Sequence, residues 1–349
     1  MAEAHWQECS PATVGSFSAV AYYFGRDLQK DLKVPIGLIH SSYGGSSAGL
    51  WLPPETLART PGLDYIRARK APPKLYNGMI APLVPFGIRG VIWYQGEADT
   101  AMAAVYRNSF PALIHGWREM FGQGDFPFLF VQIAPYMKIV SEPQESIWAE
   151  LRDAQRFASQ TVPNSAMVVI TDWGNELDIH VKPKLPVGQR LAMAARAVVY
   201  GEKIVYTGPS YSGMTVEGDK ITLSFDHVGG GLQTRAMVLE DVSKNRQTGE
   251  SGGALHVKEG DPAGTNLPLK GFTIAGADQH FFNASAEIRG DKVVVWNAEM
   301  THPVAVRYGW ADYPTGNLFN KEGFPASPFR TDDFPVHGKL IARDAPPRK

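Results

Sequence analysis

The 349 residues predict an α/β chain, a three-layer parallel-sheet domain followed by a β-rich domain. Up to about Glu202, short apolar runs alternate with helical patterns, and that alternation builds a parallel sheet covered on both faces. From Lys203 the texture changes. Glycines crowd (Gly208, Gly213, Gly218, Gly229 to Gly231), and short alternating segments replace the helices. Length supports the division, because 349 residues exceed one small core. The expected units are residues 1–202 and 203–349.

In the first unit, Phe17, Val20, Ala21, Phe24, Leu28 and Leu32 recur at three- and four-residue steps. That spacing predicts a helix over Ser16 to Leu32. Val34 to His40 reads as a buried strand, as do Gly90 to Tyr94, Phe126 to Ile133 and Ala166 to Thr171. Helical patterns cover Met102 to Phe121, Ser146 to Thr161 and Val187 to Tyr200. In the second unit, strands are expected at Lys220 to Phe225, Phe272 to Ala275, Ala286 to Arg289, Lys292 to Trp296 and Ala305 to Tyr308. The polar stretch Asp241 to Gly264 reads as a loop.

Composition narrows the function classes. Hydrophobic content of 44% and charged content of 20% are globular values and exclude wholesale disorder. A net charge of −1, without a basic run, argues against nucleic acid and anionic membrane as partners. Cys9 is the single cysteine, so no intrachain disulfide can form. No apolar run approaches the ~20 residues that span a bilayer. Met1 to Trp6 hold no signal-peptide pattern, so either a cytoplasmic protein or a chain starting downstream of its true start is expected. Eight tryptophans fit sugar stacking, but an aromatic core explains them as well.

Three clusters follow expected strands, where α/β sheets place their sites. The first is His40-Ser41-Ser42-Tyr43-Gly44-Gly45-Ser46-Ser47. Paired glycines let backbone N–H groups approach a ligand, as an oxyanion requires. A plain tight turn is the commoner meaning of such a pair. The second is Trp93-Tyr94-Gln95-Gly96-Glu97-Ala98-Asp99. The Gln95 amide can donate to a developing oxyanion, or the stretch can simply be a polar loop opening a helix. The third is Asp178-Ile179-His180, where an aspartate can orient an imidazole. Chance occurrences of Asp-x-His outnumber catalytic ones. Asp226-His227 reads as a solvated or structural pair.

Together these clusters resemble the sialate O-acetylesterase-like branch of the SGNH hydrolases. The resemblance rests on Val34-Pro35-Ile36-Gly37-Leu38-Ile39-His40-Ser41-Ser42-Tyr43-Gly44-Gly45, Tyr76-Asn77-Gly78-Met79-Ile80-Ala81-Pro82-Leu83 and Gly90-Val91-Ile92-Trp93-Tyr94-Gln95-Gly96-Glu97. It continues through Asp178-Ile179-His180, Val187-Gly188-Gln189-Arg190-Leu191-Ala192 and the tail Asn317 to Thr331. It implies a three-layer SGNH-type sheet and a carbohydrate O-acetylesterase acting through a serine, without cofactor or metal. An O-acetylated sugar or polysaccharide would be the substrate. His180 would be the general base and Asp178 its partner. Gly44 or Gly45 would give an N–H to the oxyanion, Gln95 would donate beside it, and Trp51, Trp93 and Glu97 would lie at or near the pocket. Relatives of this kind are commonly secreted or periplasmic.

The family carries its nucleophile in a glycine-glutamine-serine-asparagine block, and no such tetrapeptide occurs in this sequence. The expectation is a sheet missing its first strand and a triad missing its serine. A non-catalytic remnant that binds carbohydrate or a partner is the alternative. Ser47, within Gly45-Ser46-Ser47-Ala48-Gly49, fits the G-x-S-x-G pattern of a nucleophile elbow. Short patterns arise by chance, and the resemblance already assigns this loop to the oxyanion turn. Asp172, Glu176 and Asp178 are all possible triad acids by chain order. No second histidine or cysteine stands at metal-site spacing from His40. Glu97 and Asp99, two apart on one loop, are poorly placed to flank a glycosidic bond. Asn283-Ala284-Ser285 is a glycosylation sequon, meaningful only in a secreted eukaryotic protein.

Overall fold

The computed structural model describes residues 5–69, 73–242, 251–257 and 267–336. Helix α1 (Ala19–Leu32) begins at Ser18, whose hydroxyl accepts from the Ala21 N–H at 3.3 Å. It starts later than the periodicity predicts, because Val14–Ser16 form a separate 3-10 turn and Phe17 is extended. Short helices α2 (Pro54–Arg59) and α3 (Asp64–Ala68) follow the His40–Trp51 turn. Strands β1 (Val91–Tyr94), β2 (Phe128–Val131) and β3 (Ser165–Val168) form a parallel sheet in that order. They are linked through α4 (Ala103–Phe121) and α5 (Ile147–Thr161), and α6 (Lys184–Val198) follows.

Side-chain alternation on β2 organises both layers. Phe128 and Phe130 join the core with Trp93, Phe110 and Trp117. Leu129 and Val131 join the opposite core with Leu28, Leu191 and Ala195 of α1 and α6. Both faces are therefore covered, as a parallel sheet requires.

Val34 to His40 departs from expectation. The segment is extended but belongs to no strand. Among the described residues, no backbone hydrogen bond reaches Val34 to Ile39 from another backbone group. Its apolar residues read as a strand, yet a strand is defined by its ladder, and β1 does not lie directly beside it.

The β-rich half is antiparallel. Strands β4 (Ser210–Glu217), β5 (Lys220–Asp226), β11 (Ser285–Arg289) and β12 (Lys292–Trp296) form one sheet, ordered β11-β12-β5-β4. A second, ordered β10-β9-β13-β15, joins β9 (Phe272–Ala275), β10 (Phe281–Asn283), β13 (Ala305–Tyr308) and β15 (Phe329–Arg330). Their inner faces share a core of Ile221, Leu223, Ile274, Val293, Val306 and Phe329. Strand β6 (Leu232–Thr234) pairs with β14 (Leu318–Asn320), and β7 (Met237–Val242) with β8 (Gly252–Val257). The β7–β8 hairpin corrects the expected loop over Asp241 to Gly264. Leu255 and Val257 are buried on alternate positions, but Gly252 and Gly253 hide that strand in sequence. Residues 243–250 and 258–264 of that stretch lie outside the described residues.

One buried cation joins the halves. Arg152 of α5 is fully buried, and its guanidinium donates to Ile133 O, Ala134 O, Ala311 O and Asp312 O at 2.7–3.0 Å. Burial pulls its pKa down to about 9, so it stays charged at neutral pH. Ser146, which caps α5, also donates to Asp312 Oδ1 at 2.6 Å.

Candidate active site

Two of the three clusters meet through one carboxylate. Asp99 Oδ2 accepts from the Ala48 N–H at 2.8 Å and from Gln95 Nε2 at 2.6 Å. Gln95 Nε2 also donates to Ser46 O at 3.0 Å. Ser46 Oγ donates to Tyr43 O at 2.7 Å and accepts from Trp51 Nε1 at 2.9 Å. The glycine turn and the loop after β1 are thus one hydrogen-bonded knot. Burial pushes the Asp99 carboxyl up to about 6, against the Ala48 and Gln95 donors. Gly96 lets the loop pass. A Cβ there would stand 2.6 Å from Ile133 Cγ2 and 2.8 Å from Leu151 Cδ2, and φ is +156°.

This geometry gives the side chains of the first two clusters their partners. Gln95 does not present its amide to a ligand, since Asp99 and Ser46 take both N–H groups; its Oε1 is buried without a partner. Trp51 and Trp93 are core side chains, 2% and 8% exposed, in edge-to-face contact at 5.8 Å. They lie beneath the turn, where Trp51 Nε1 donates to Ser46 Oγ. Gly44 and Gly45 are exposed, and Gly45 takes the positive φ of +67° that this turn needs. Among the described residues their N–H groups meet no acceptor.

The third cluster is built differently. Asn175 Oδ1 accepts from the N–H groups of Leu177 and Asp178. Asp178 Oδ1 then accepts from His180 N at 2.9 Å and faces His180 Nδ1 at 3.2 Å. The His180 side chain is 86% exposed, and its Nε2 meets no partner among the described residues. Of the three acids compatible with chain order, only Asp178 reaches the imidazole. Asp172 is buried in a bidentate pair with Arg190 at 2.5–2.6 Å. Glu176 accepts from Ile139 N and Gly253 N.

The β-rich half holds this loop. Gly174 N donates to Leu255 O, Glu176 N donates to Gly253 O, and Trp173 stacks on His256 at 5.6 Å. A Cβ on Gly174 would stand 2.6 Å from Pro135 Cβ and 2.7 Å from the Tyr313 ring. Tyr313 Oη in turn accepts from Leu255 N at 2.8 Å.

Glu97 lies between the clusters. Burial raises its pKa, while Lys184 and His180 pull it back. Lys184 is held down by burial and supported by Glu97 and Asp178, and its ammonium sits 5.6 Å over the Tyr94 ring. Sequence reasoning missed Asp99 as the brace and Lys184 as the cation of this cluster. Neither carries a local signal, because Asp99 reaches Ala48 across 51 residues of chain.

The serines also have assigned places. Ser41 Oγ donates to Met79 O, and Ser46 belongs to the knot. Ser47 precedes the 3-10 turn Ala48–Trp51 without a side-chain cap bond, and no hydrogen bond joins it to His180. Ser42 Oγ lies 2.7 Å from His40 Nε2 on the exposed face of the turn. No carboxylate orients that imidazole among the described residues. The described residues contain no group of three or more histidine, cysteine, aspartate or glutamate side chains fit to hold a metal ion.

A helix-covered parallel sheet with a glycine turn and an oriented histidine beyond its strands is an α/β architecture whose candidate site lies where such sheets place theirs. Comparison with known proteins gives the family. The profile described as carbohydrate esterase, sialic acid-specific acetylesterase matches residues 7–197, and the chain belongs to that family. The human sialate O-acetylesterase is 34% identical over 216 residues, covering 55% of this chain and 41% of that protein. The rat sialate O-acetylesterase is 32% identical over 242 residues, covering 55% and 45%. This chain thus spans less than half the length of these curated relatives. The crystal structure of a carbohydrate acetylesterase from Xanthomonas citri superposes with a TM-score of 0.78 at 38% identity, covering 96% of this chain and 70% of that one. That likeness supports the fold described above, an SGNH-like α/β part followed by a β-rich part.

Proposed function

We propose that the chain acts as a carbohydrate O-acetylesterase in which His180, oriented by Asp178, moves the proton between nucleophile and leaving sugar hydroxyl. The observation that carries this is the Asp178–His180 contact at 3.2 Å, with Nε2 open to solvent on the side away from the carboxylate. Asp178 fixes the tautomer with the proton on Nδ1 and stabilises the imidazolium that forms. The free N–H groups of Gly44 and Gly45 receive the oxyanion, and the Asp99 knot keeps them aimed. Gln95 acts through that knot as a positioning residue. The units are residues 1–202, which carry the chemistry, and 203–349, which hold the His180 loop. The family resemblance places the attacking serine in a glycine-glutamine-serine-asparagine block; this sequence holds no such tetrapeptide, and no hydroxyl meets His180 Nε2 among the described residues.

The test is acetate release from a chromogenic acetyl ester and from an O-acetylated sugar. It compares the protein joined to that block with its His180→Ala variant. Loss of the base is expected to lower kcat by about 10⁴-fold or more. Equal release by both proteins would overturn the assignment. The open Nε2 also favours a second reading, a non-catalytic remnant. Its signature would be binding of O-acetylated sugar by the chain with no release even when the block is joined. Release from residues 1–349 alone that stops in Ser47→Ala would move the nucleophile to Ser47.

A further inference from the structure

A cavity of about 770 Å³ lies where helices α1 and α6 meet the β-rich half. Pro186, Gln189, Met193 and Arg196 line it from α6. Their steps of three and four residues put them on one face of the helix, a wall ~15 Å long. Arg26 and Lys30 of α1 stand beside that wall. Arg235, just after β6, and Phe324, beyond β14, close the other side, and Trp173 of the His180 loop borders it.

Most charges of this cavity are spent on each other. Arg26 pairs with Asp27 at 2.7 Å, Arg196 with Asp31 at 2.8 Å and Arg190 with Asp172 at 2.5 Å. Glu322 accepts from Gly230 N at 2.8 Å. Arg235 stands apart. Its guanidinium lies 5.7 Å from the Phe319 ring and enters no hydrogen bond or ion pair among the described residues. It is half-buried, and it carries five N–H donors in a planar fork whose natural partner is a carboxylate. Lys30, exposed at the rim, has no ion pair among the described residues either, so the unpaired charge is positive. The paired arginines and aspartates still hold spare N–H groups and lone pairs, the mixture that neighbouring hydroxyls satisfy. Trp173 adds a flat, half-buried ring. Two walls are helices, whose backbone groups are already paired, so they offer a peptide strand no ladder.

We propose that this cavity is a carbohydrate site that takes an acidic sugar chain, with one carboxylate in the fork of Arg235 and a sugar ring against Trp173. Hydroxyls of the chain meet the paired side chains of α1 and α6. The proposal goes beyond the esterase reading and does not rest on it, because its readout is binding of a sugar that carries no acetyl group.

The probe is a trisaccharide of galacturonic acid, titrated into the full chain and followed by calorimetry and by the NMR signals of the Trp173 indole and the Arg235 guanidinium. The expected result is saturable one-to-one binding that shifts both signals. The neutral trisaccharide of galactose should bind about tenfold more weakly, and Arg235→Gln should weaken the acidic sugar about tenfold while leaving the neutral one unchanged. The comparison of the two sugars uses the unaltered chain, so it holds even if the variant fails to fold. Absence of binding, or equal affinity for the two sugars, would overturn the proposal. So would a shift of His180 signals without those of Trp173 and Arg235, which places the sugar at the histidine instead. Equal binding of hexaglutamate would assign the cavity to acidic peptide and also overturn it.

Discussion

The glycine-turn side of the site and the histidine side are held by opposite means. The turn is fastened from within. Half-buried Asp99 ties the loop after β1 to the distant glycine turn through Gln95 Nε2 and the Ala48 N–H, and Trp51 and Trp93 lie under it in the main core. The His180 loop is fastened from outside, by β8 and Tyr313 of the β-rich half, while the His180 side chain points to solvent. Substitution in the first region should therefore cost stability and geometry together. In the second, chemistry and stability should separate. This is the expected position of a group that meets substrate at an open mouth, against a group that must keep backbone amides rigid.

The largest effect should come from the joint between the halves. Arg152→Ala leaves four carbonyl oxygens without their buried donor, and an unfolding free energy lower by more than about 3 kcal/mol is expected from urea denaturation. If the loss were small, the β-rich half would not be docked through this residue.

Next is the pH response of the turn. The Asp99 pKa is raised from 3.8 to about 6. The folded state therefore holds this proton more tightly than the unfolded state. The stabilising contribution is full below pH 3.8 and is lost as pH rises through about 6. Relative to Asp99→Asn, whose amide oxygen can still accept both bonds, the wild type should lose about 2 kcal/mol between pH 4 and 7. Equal unfolding free energies at the two pH values, relative to Asp99→Asn, would contradict a titrating Asp99.

Gly174→Ala should cost about 1–3 kcal/mol, since its methyl group meets Pro135 and Tyr313. It should also displace the loop that carries His180, seen as loss of the Trp173–His256 contact by NMR. His180→Ala itself should change stability by less than about 0.5 kcal/mol, as befits an exposed side chain. A large loss would place His180 in the structural frame and erase the contrast.

Much of this organisation was legible in sequence where one residue pattern decides one element. Lys292 to Trp296 and Ala305 to Tyr308 match β12 and β13 residue for residue. Asp178-Ile179-His180 declares its contact because both partners sit on one short loop. What failed to show depends on distant partners. Strands β6, β14 and β15 have two or three residues each, too few to show alternation. Val34 to His40 has strand composition but lacks a ladder. Gln95 reads as a free donor because one of its N–H groups goes to Ser46 O, 49 residues away, and the other to Asp99, whose turn back onto the amide is set by the fold.

The central claim is that the open histidine performs chemistry while the buried knot holds shape. Acetate release by the block-joined protein and its His180→Ala variant, measured beside their urea denaturation curves, tests it most directly. A fall in kcat of about 10⁴-fold or more with overlapping denaturation curves is predicted. Release that survives in the variant, or vanishes only together with folding, would contradict it.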